Sequence, residues 1–226
     1  MILQPTSSWK NTYPLAAIGV LHLSNLTNPS ELTTLALEKN NLVENLRRQY
    51  QGMQREQIKA LPVLQAYERY YRQFDKSYHV QLQLESILFK GKNIPSVAAL
   101  VEAMFMAELK NMLLTAGHDA QSLKSPLVVD TAQGGETYTG INGKEVTLKP
   151  ADMYIRDAQG ILSSILYGPD QRSKITPETR SAVFTVYAPS GISEQTILQH
   201  LEDIRNYVLI INPLAVTENL NVVQAL

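Results

Sequence analysis

The sequence predicts an α+β fold, with helices in the first half packed on an antiparallel or mixed β region. Helical periodicity runs through the first half, short strands separated by turns follow, and a helix and a strand close the chain. The 226 residues are 44% hydrophobic and 18% charged, which is typical of a folded globular protein. No repeat or low-complexity linker divides the sequence, so we expect a single domain over residues 1–226.

The first elements are a strand and a long helix. "YPLAAIGVLHLSNL" reads as the strand, and Asn28, Pro29 and Glu31 then form the pattern of a capping box that would begin the helix. Gly52 interrupts the helical pattern, and "ALPVLQAYERYYRQF" and "HVQLQLESILF" supply two further helices.

The next helix is strongly apolar. Gly117 is the residue type that commonly ends a helix, which would leave His118 and Asp119 at its C-terminal end. There the pair could face a cavity, or His118 could simply interact with the helix dipole while Asp119 caps the following segment. The apolar face of this helix comprises Val97, Leu100, Val101, Met104, Phe105 and Leu109.

The second half reads as short strands followed by one helix. Asn142-Gly143 predicts a hairpin with a type I′ turn, because both residues tolerate positive φ angles. "SEQTILQHLEDIRNYV" predicts a helix, and "VLIINP" predicts a late strand. The predicted strands are "SPLVVDTA", "ETYTGI", "KEVTLK", "ADMYIRD", "GILSSILY" and "SAVFTVYA".

Composition and motifs exclude several function classes. The chain has no cysteine and no leader-like N-terminus, so we expect a cytoplasmic protein, and Glu102, Glu108 and Lys110 argue against a membrane-spanning helix. A net charge of -1 argues against DNA as a partner, although the stretch 44–92 has a basic excess. Nucleotide-binding glycine loops are absent, and the four histidines lack metal-ligand spacing, so we expect no metal and no cofactor.

The stretch "ILYGPDQRSKIT" is the most unusual loop. Asp170, Arg172 and Lys174 fall within five residues, directly after the break at Gly168-Pro169. From the residues alone there are two interpretations. The loop either holds a ligand or carries a surface ion-pair cluster, which would contribute only about 0.2–1 kcal/mol to stability.

Two longer stretches carry a family resemblance. "IPSVAALVEAMFMAELKNMLLTAGHDAQSL" and "GGETYTGINGKEVTLKPADMYIRDAQGILSSILYGPDQRSKI" together resemble the B3/B4 domain of the bacterial phenylalanyl-tRNA synthetase beta subunit. That domain has the same order of a helix, a His/Asp turn, a strand, a double hairpin and a glycine-bearing loop. The similarity is strongest over residues 91–180, and "RSKITPETR" is similar to free-standing members of the family. The resemblance implies the B3/B4 domain architecture.

The resemblance also implies a function in aminoacyl-tRNA editing. In the synthetase this domain hydrolyses tyrosine that has been wrongly attached to the phenylalanine tRNA. Such a second site is needed because an apolar pocket rejects an isostere with an extra hydroxyl by only ~10²-fold. The implied partner is tRNA or aminoacyl-tRNA, and no cofactor is required. The alternative is a non-catalytic module that binds RNA or a small amino-acid-like ligand.

By position, the resemblance implies which residues form the site. Asp170 falls near an acidic residue that reads the tyrosyl hydroxyl, and Arg172 and Lys174 become candidates for phosphate or carboxylate contact. The implied substrate-binding residues are His118, Asp119, Tyr167, Gly168, Asp170, Arg172 and Lys174, with His118 and Asp170 as candidate catalytic residues. We expect His118, Asp119, Asp170 and Arg172 to line one cleft.

Five positions depart from the family pattern. The family usually opens its long helix with Asn-Pro, an Asp and a further Asn, where this chain has Ala98, Ala99, Glu102 and Phe105. The pocket histidine of the synthetase falls at Ala116, and this chain has a histidine two residues later. These replacements favour the non-catalytic alternative.

Overall fold

A computed structural model describes residues 2–226 and has the predicted α+β organisation. Within that range no helix is both long enough and apolar enough to cross a membrane. The helices are α1 (Ser7–Thr12), α2 (Thr33–Gln49), α3 (Arg55–Lys59), α4 (Pro62–Arg72), α5 (His79–Lys90), α6 (Ala99–Asn111) and α7 (Glu194–Ile211). The strands are β1 (Leu3–Pro5), β2 (Ala17–Ser24), β3 (Leu114–Asp119), β4 (Leu127–Thr131), β5 (Thr137–Thr139), β6 (Glu145–Thr147), β7 (Met153–Asp157), β8 (Gly160–Ser164), β9 (Gly168–Pro169), β10 (Ser181–Ala188) and β11 (Val216–Gln224).

The strands form two main sheets and one small hairpin. The first sheet is antiparallel with the order β11-β2-β10-β3. The second has the order β1-β4-β7-β8-β9 and is mixed, because β1 pairs with β4 in parallel and the other pairs are antiparallel. The hairpin is β5-β6. The predicted antiparallel or mixed β region is therefore confirmed.

Helix α7 packs closely on the first sheet. Gly19 of β2 permits this approach, since a Cβ atom at that position would lie 2.6 Å from Ile197 Cγ2. Helix α6 lies between α7 and strand β3, and both its apolar and its acidic side chains are buried. It is a central helix, and its acidic residues are buried together with its apolar face.

Asn28 caps a different helix from the one predicted. Helix α2 begins at Thr33, so the predicted capping box at Asn28 is wrong. Instead, Asn28 Oδ1 accepts a hydrogen bond of 2.9 Å from the backbone N–H of Leu100, in the first turn of α6. Its Nδ2 donates to the Thr176 carbonyl at 2.9 Å. Asn28 thereby fixes the start of α6 beside the loop that contains Asp170.

Two predictions about the ends of elements are also wrong. Helix α6 ends at Asn111 with Met112 in the left-handed region, so Gly117 and His118 lie in strand β3 rather than at a helix end. "VLIINP" belongs mainly to α7, and the last strand begins later, at Val216.

The β5-β6 turn also differs from the prediction. Gly143 has a positive φ of 78° and Asn142 does not, which excludes type I′. The hydrogen bond of 2.8 Å from Gly143 N to the Gly140 carbonyl fits a type I turn closed by a left-handed glycine.

Candidate functional site

The loop after β8 is held in place by its backbone. β9 continues from Gly168, where φ is +79°, and the backbone of Asp170 then forms an isolated bridge to Gly140 of the β5-β6 hairpin. The Asp119 N–H donates to the Ser173 carbonyl at 2.7 Å, which ties the loop to the end of β3. The loop is therefore held on both sides by backbone hydrogen bonds.

His118 and Asp170 belong to one buried hydrogen-bond network, which we call the His118 network. His118 Nδ1 lies 2.7 Å from Ser173 Oγ, and Ser173 Oγ–H donates to Asp170 Oδ1. On the other side of the ring, His118 Nε2 lies 3.3 Å from Ser163 Oγ, which contacts the Tyr187 hydroxyl at 2.8 Å. The network joins β3, β8, β10 and the loop through side chains that satisfy one another.

The His118 network is almost entirely enclosed, and its one polar atom without a hydrogen bond within residues 2–226 is Asp170 Oδ2, which Arg172 Nε approaches to 3.6 Å. His118 and Ser173 are fully buried and Asp170 is 3% exposed. Burial lowers the pKa of His118 to about 4, so the imidazole is neutral at neutral pH, and burial also raises the pKa of Asp170. The structure thus joins His118 to Asp170 through Ser173, and it does so inside the protein rather than across a shared hollow.

Arg172 fastens the same loop at the surface. Its guanidinium donates to Asp157 Oδ1 at 3.0 Å and to the Ser122 carbonyl at 2.6 Å, and its Nε lies 3.6 Å from Asp170 Oδ2. Asp157 also accepts from backbone N–H groups, including that of Lys124 at 2.8 Å. These contacts are those of the ion-pair interpretation, and any ligand contact by Arg172 would have to replace them.

The other predicted site residues lie in different surroundings. Asp119 accepts from Thr179 Oγ1 at 2.7 Å and from the Gln121 N–H at 2.9 Å, so it stabilises turns. The Lys76 ammonium lies 4.2 Å from the centre of the Tyr167 ring. Lys174 is exposed. Asp170 and Arg172 do share one surface groove of about 440 Å³, in which neither His118 nor Asp119 takes part.

A separate pocket lies on the opposite face of β3, and we call it the α6–β3 pocket. Its volume is about 230 Å³. Side chains alternate along a strand, so Thr115 and Gly117 face this pocket while Ala116 and His118 face the second sheet. The pocket is lined by His79, Gln83, Val101, Met104, Phe105, Glu108, Leu114, Thr115, Gly117, Ile141, Gly168, Pro169 and Ile175.

Gly117 keeps this pocket open. A Cβ atom at Gly117 would lie 2.9 Å from Ile175 Cδ1 and 3.3 Å from Met104 Sδ, so a larger residue would fill the space. Of the residues that the resemblance implies, Gly168 lines the pocket. The walls are otherwise mostly aliphatic and aromatic, as in most small-molecule sites.

One carboxyl group gives the pocket its polar end. Glu108 is 2% exposed, and its Oε1 accepts the Thr115 N–H at 2.7 Å. No hydrogen bond to its Oε2 is found within residues 2–226, and Glu108 lines the pocket. Burial raises the pKa of Glu108 to about 8, so the carboxyl is mainly protonated at neutral pH. A neutral carboxylic acid can donate a hydrogen bond to a ligand.

Two further concave surfaces continue from the pocket. The α5 groove, of about 480 Å³, shares His79, Gln83 and Phe105 with the pocket. A basic cleft of about 200 Å³ then meets the α5 groove at Leu82. The charged residues of the basic cleft are Arg55, Lys59, Glu68, Arg72, Asp75 and Lys76.

Sequence reasoning missed Glu108 and Thr115, although one signal was available. Glu108 lies four residues after Met104 and seven after Val101, on the face that the helical pattern assigns to the core. An acidic residue on that face is costly to bury without a purpose. No cluster of three or more potential metal ligands occurs within residues 2–226.

Comparison with known proteins identifies the family and finds distantly similar solved structures. A family model described as "B3/4 domain" matches residues 63–202. Comparison with the curated proteins gives no match. Among solved structures, an N-terminal fragment of the phenylalanyl-tRNA synthetase beta subunit from Pyrococcus horikoshii is similar, with a TM-score of 0.48 and 9% identity. The alignment covers 96% of this chain and 54% of that one, so the chain spans about half of the solved fragment.

Proposed function

The chain belongs to the B3/4 domain family, and from this premise we propose that it recognises the amino-acid part of an aminoacyl-tRNA in the α6–β3 pocket and removes it by ester hydrolysis. The observation that carries the proposal is the pocket of about 230 Å³ that ends at the Glu108 carboxyl. This proposal brings with it tRNA as the partner and a cytoplasmic location.

The form of the pocket supports an amino-acid side chain as the bound group. Its walls are apolar, and a single buried acid supplies the polar contact that fixes orientation. Gly168 and Pro169 form part of the rim, so the loop of the family resemblance still borders the ligand. The residues that would read the ligand are Glu108 and Thr115, in place of Asp170 and His118.

The surfaces beyond the pocket support a longer ligand than a free amino acid. The α5 groove offers apolar and aromatic contacts, and the basic cleft offers Lys59 and Lys76 as cations. Arg55 and Arg72 of the cleft are already paired with Glu85 and Glu68, which leaves a modest positive charge. An aminoacyl-tRNA would place its amino acid in the pocket and its phosphates toward this cleft.

Hydrolysis in this proposal depends on positioned water rather than on a strong general base. At neutral pH the Glu108 carboxyl is mainly protonated and acts as a donor, and His118 is enclosed on the other face of β3. A reaction of this kind gains its rate from orientation of the ester and of water.

The same facts support a second candidate, a non-catalytic module that binds a small amino-acid-like ligand. No imidazole or ionised carboxylate within residues 2–226 reaches the pocket wall as a ready base, apart from His79 at the rim. Under this alternative the chain binds amino acids or their derivatives without releasing product.

Deacylation assays distinguish the two candidates. A panel of mischarged tRNAs would be incubated with the wild type, with Glu108→Leu, which removes the donor, and with Asp170→Asn. We expect turnover of at least one substrate, a loss of at least tenfold in Glu108→Leu, and a much smaller change in Asp170→Asn once both variants are shown to be folded. Binding without turnover would support the second candidate. Activity that depends on Asp170 and ignores Glu108 would overturn the choice of pocket.

A further inference from the structure

A chain of side chains connects the α6–β3 pocket to the surface behind it. Thr115 Oγ1, at the pocket wall, lies 2.7 Å from His200 Nε2. Asn111 Nδ2 lies 3.3 Å from His200 Nδ1 and donates to Asp203 Oδ2 at 2.9 Å. Lys110 Nζ contacts Asp203 Oδ1 at 2.9 Å. The chain therefore runs from the pocket through a histidine to a surface ion pair.

The geometry of this chain favours one of the two nitrogens of His200 as the one that carries the proton. Asp203 can only accept, so the Asn111 side chain must present its N–H₂ group to Asp203, and the same group then faces His200 Nδ1. His200 is fully buried, and burial lowers its pKa to about 3, so the ring is neutral. In a neutral ring with Nδ1 as the acceptor, Nε2–H is the donor, and it donates to Thr115 Oγ1.

This arrangement has a consequence for the ligand. When Thr115 Oγ1 accepts from His200, its own O–H proton has no partner among the other residues of the 2–226 range. Glu108 is also at the pocket wall. Its Oε1 accepts the Thr115 N–H, so the carboxyl proton is placed on Oε2. Two donors, the Thr115 hydroxyl and the Glu108 carboxyl, are then available at one end of an otherwise apolar pocket.

We propose that His200 is a positioning residue, which holds the Thr115 hydroxyl as a donor and thereby makes the pocket select side chains that end in oxygen over their apolar isosteres. The proposal rests on the proposed function, because it takes the ligand to be an amino-acid group. It adds a positioning residue to that site: two donors face the tip of the bound group, and a tip that accepts hydrogen bonds, such as a hydroxyl, would pair with both. Leaving these donors unpaired would penalise an apolar isostere.

Binding of amino-acid amides tests the selection. The probes are two isosteric pairs, tyrosinamide with phenylalaninamide and threoninamide with valinamide, measured by calorimetry. In the wild type we expect the oxygen-tipped member of at least one pair to bind at least tenfold more tightly. His200→Leu, which removes the donor, and Thr115→Val should each reduce that ratio to below threefold. His200→Gln, whose carboxamide can donate, should restore most of it, and the double variant should lose no more than either single variant.

A matched control separates positioning from general loss of structure. His118→Leu makes the same replacement on the opposite face of β3, and it should lower stability while leaving the ratio within twofold of the wild type. If no amide binds to the folded wild type, the proposed function fails and this inference fails with it. If an amide binds but His200→Leu keeps the wild-type ratio, only the role of His200 is overturned.

A measurement on the wild type remains available if His200→Leu does not fold. Nitrogen chemical shifts of the histidine rings report which nitrogen is protonated, and we expect the Nε2–H form for His200. The competing form, with Nδ1–H directed at the nearby Ala107 carbonyl, would leave the Thr115 proton committed to His200 and would overturn the proposal.

Discussion

The two faces of strand β3 carry buried polar groups of opposite character. On one face, His118, Ser173 and Asp170 form one chain of hydrogen bonds and are almost fully buried. On the other face, Glu108 and Thr115 are held by a single contact each to the backbone or to His200, and both border a pocket. The first arrangement fixes a loop, and the second leaves hydrogen-bonding capacity unused.

This comparison is the reason for placing the proposed site in the α6–β3 pocket rather than at the residues that the resemblance implies. Ala116, where the resemblance places a pocket histidine, points to the same face as His118, and that face is filled by side chains. The Glu108 carboxyl lies on the other face, beside Thr115, which is one strand position before Ala116. Buried polar groups are normally paired, so an unpaired one beside a cavity indicates a ligand more strongly than a complete network does.

The largest expected effect concerns the closed face. His118→Leu keeps the volume of the side chain but leaves Ser163 and Ser173 without the imidazole. We expect a loss of about 2–4 kcal/mol in the free energy of unfolding, measured by urea titration, because buried donors and acceptors lose partners. Amide binding by the folded fraction should change little. A stable variant that no longer binds amides would reverse the roles of the two faces.

The next effect is a pH dependence that arises on the open face. The pKa of Glu108 is about 8 in the folded protein and about 4.5 when unfolded, so the folded state binds the extra proton between these values. Its contribution to stability is present below pH 4.5 and is lost as pH rises toward 8. Above about pH 7.5, where the four histidines are nearly neutral in both the folded and the unfolded state, stability should fall by up to about 1.4 kcal/mol per pH unit until Glu108 is ionised.

Glu108→Gln provides the control for this pH dependence. From pH 7.5 to pH 8.5 the unfolding free energy of the variant should depend less on pH than that of the wild type. This range lies above most of the titration of Asp152, whose pKa of about 7 adds a slope of the same sign. An unchanged slope in Glu108→Gln would mean that Glu108 is ionised in the fold, and the pocket would then lack its carboxyl donor.

Gly117→Ala sharpens the comparison from the pocket side. The added methyl group would approach Ile175 and Met104 and occupy part of the pocket, while Gly117 has ordinary strand geometry that alanine can adopt. We expect about tenfold weaker amide binding, equivalent to about 1.4 kcal/mol, with a change in unfolding free energy below about 1 kcal/mol. Unchanged affinity in calorimetry would exclude this pocket as the binding site.

The smallest effect is expected for the ion pairs of Arg172 at the surface. Arg172→Gln removes contacts to Asp157 and Asp170 from a side chain that is 34% exposed. Partly exposed ion pairs contribute about 0.2–1 kcal/mol, so we expect a loss within that range and no change in amide affinity. Arg172→Lys should recover only part of the loss, since it cannot form the forked contacts. A tenfold loss of affinity in Arg172→Gln would assign the ligand to the groove beside Asp170.

Periodicity predicted most of the fold, and it failed at strand β3, which depends on a long-range interaction. Helices α4 and α5 and strands β7 and β10 carry clear local patterns, and the structure contains them. Strand β3 does not: "LTAGHD" follows an apolar helix and includes a glycine. It becomes a strand because Leu114–Asp119 pairs with β10 along its whole length, which is a long-range interaction.

The candidate site was harder to predict because it depends on strand parity and on distant partners. The sequence analysis placed His118 at a helix end. In a strand, successive side chains point to opposite faces, so His118 and Thr115 lie on different faces. The partner of Thr115 is His200, which lies 85 residues later and shows no spacing signal in the sequence. The loop around Asp170 drew attention because its charges are adjacent in sequence, yet Arg172 mainly contacts Asp157 and the Ser122 carbonyl, and Lys174 is exposed.

Backbone amide shifts during titration with the tightest-binding amino-acid amide test the central claim most directly. The account predicts that the largest changes will fall on Thr115, Gly117 and Gly168, which border the α6–β3 pocket, and that Gly160 and Gln171, which border the groove beside Asp170, will hardly move. The reverse pattern would contradict the assignment of the ligand to the open face of β3.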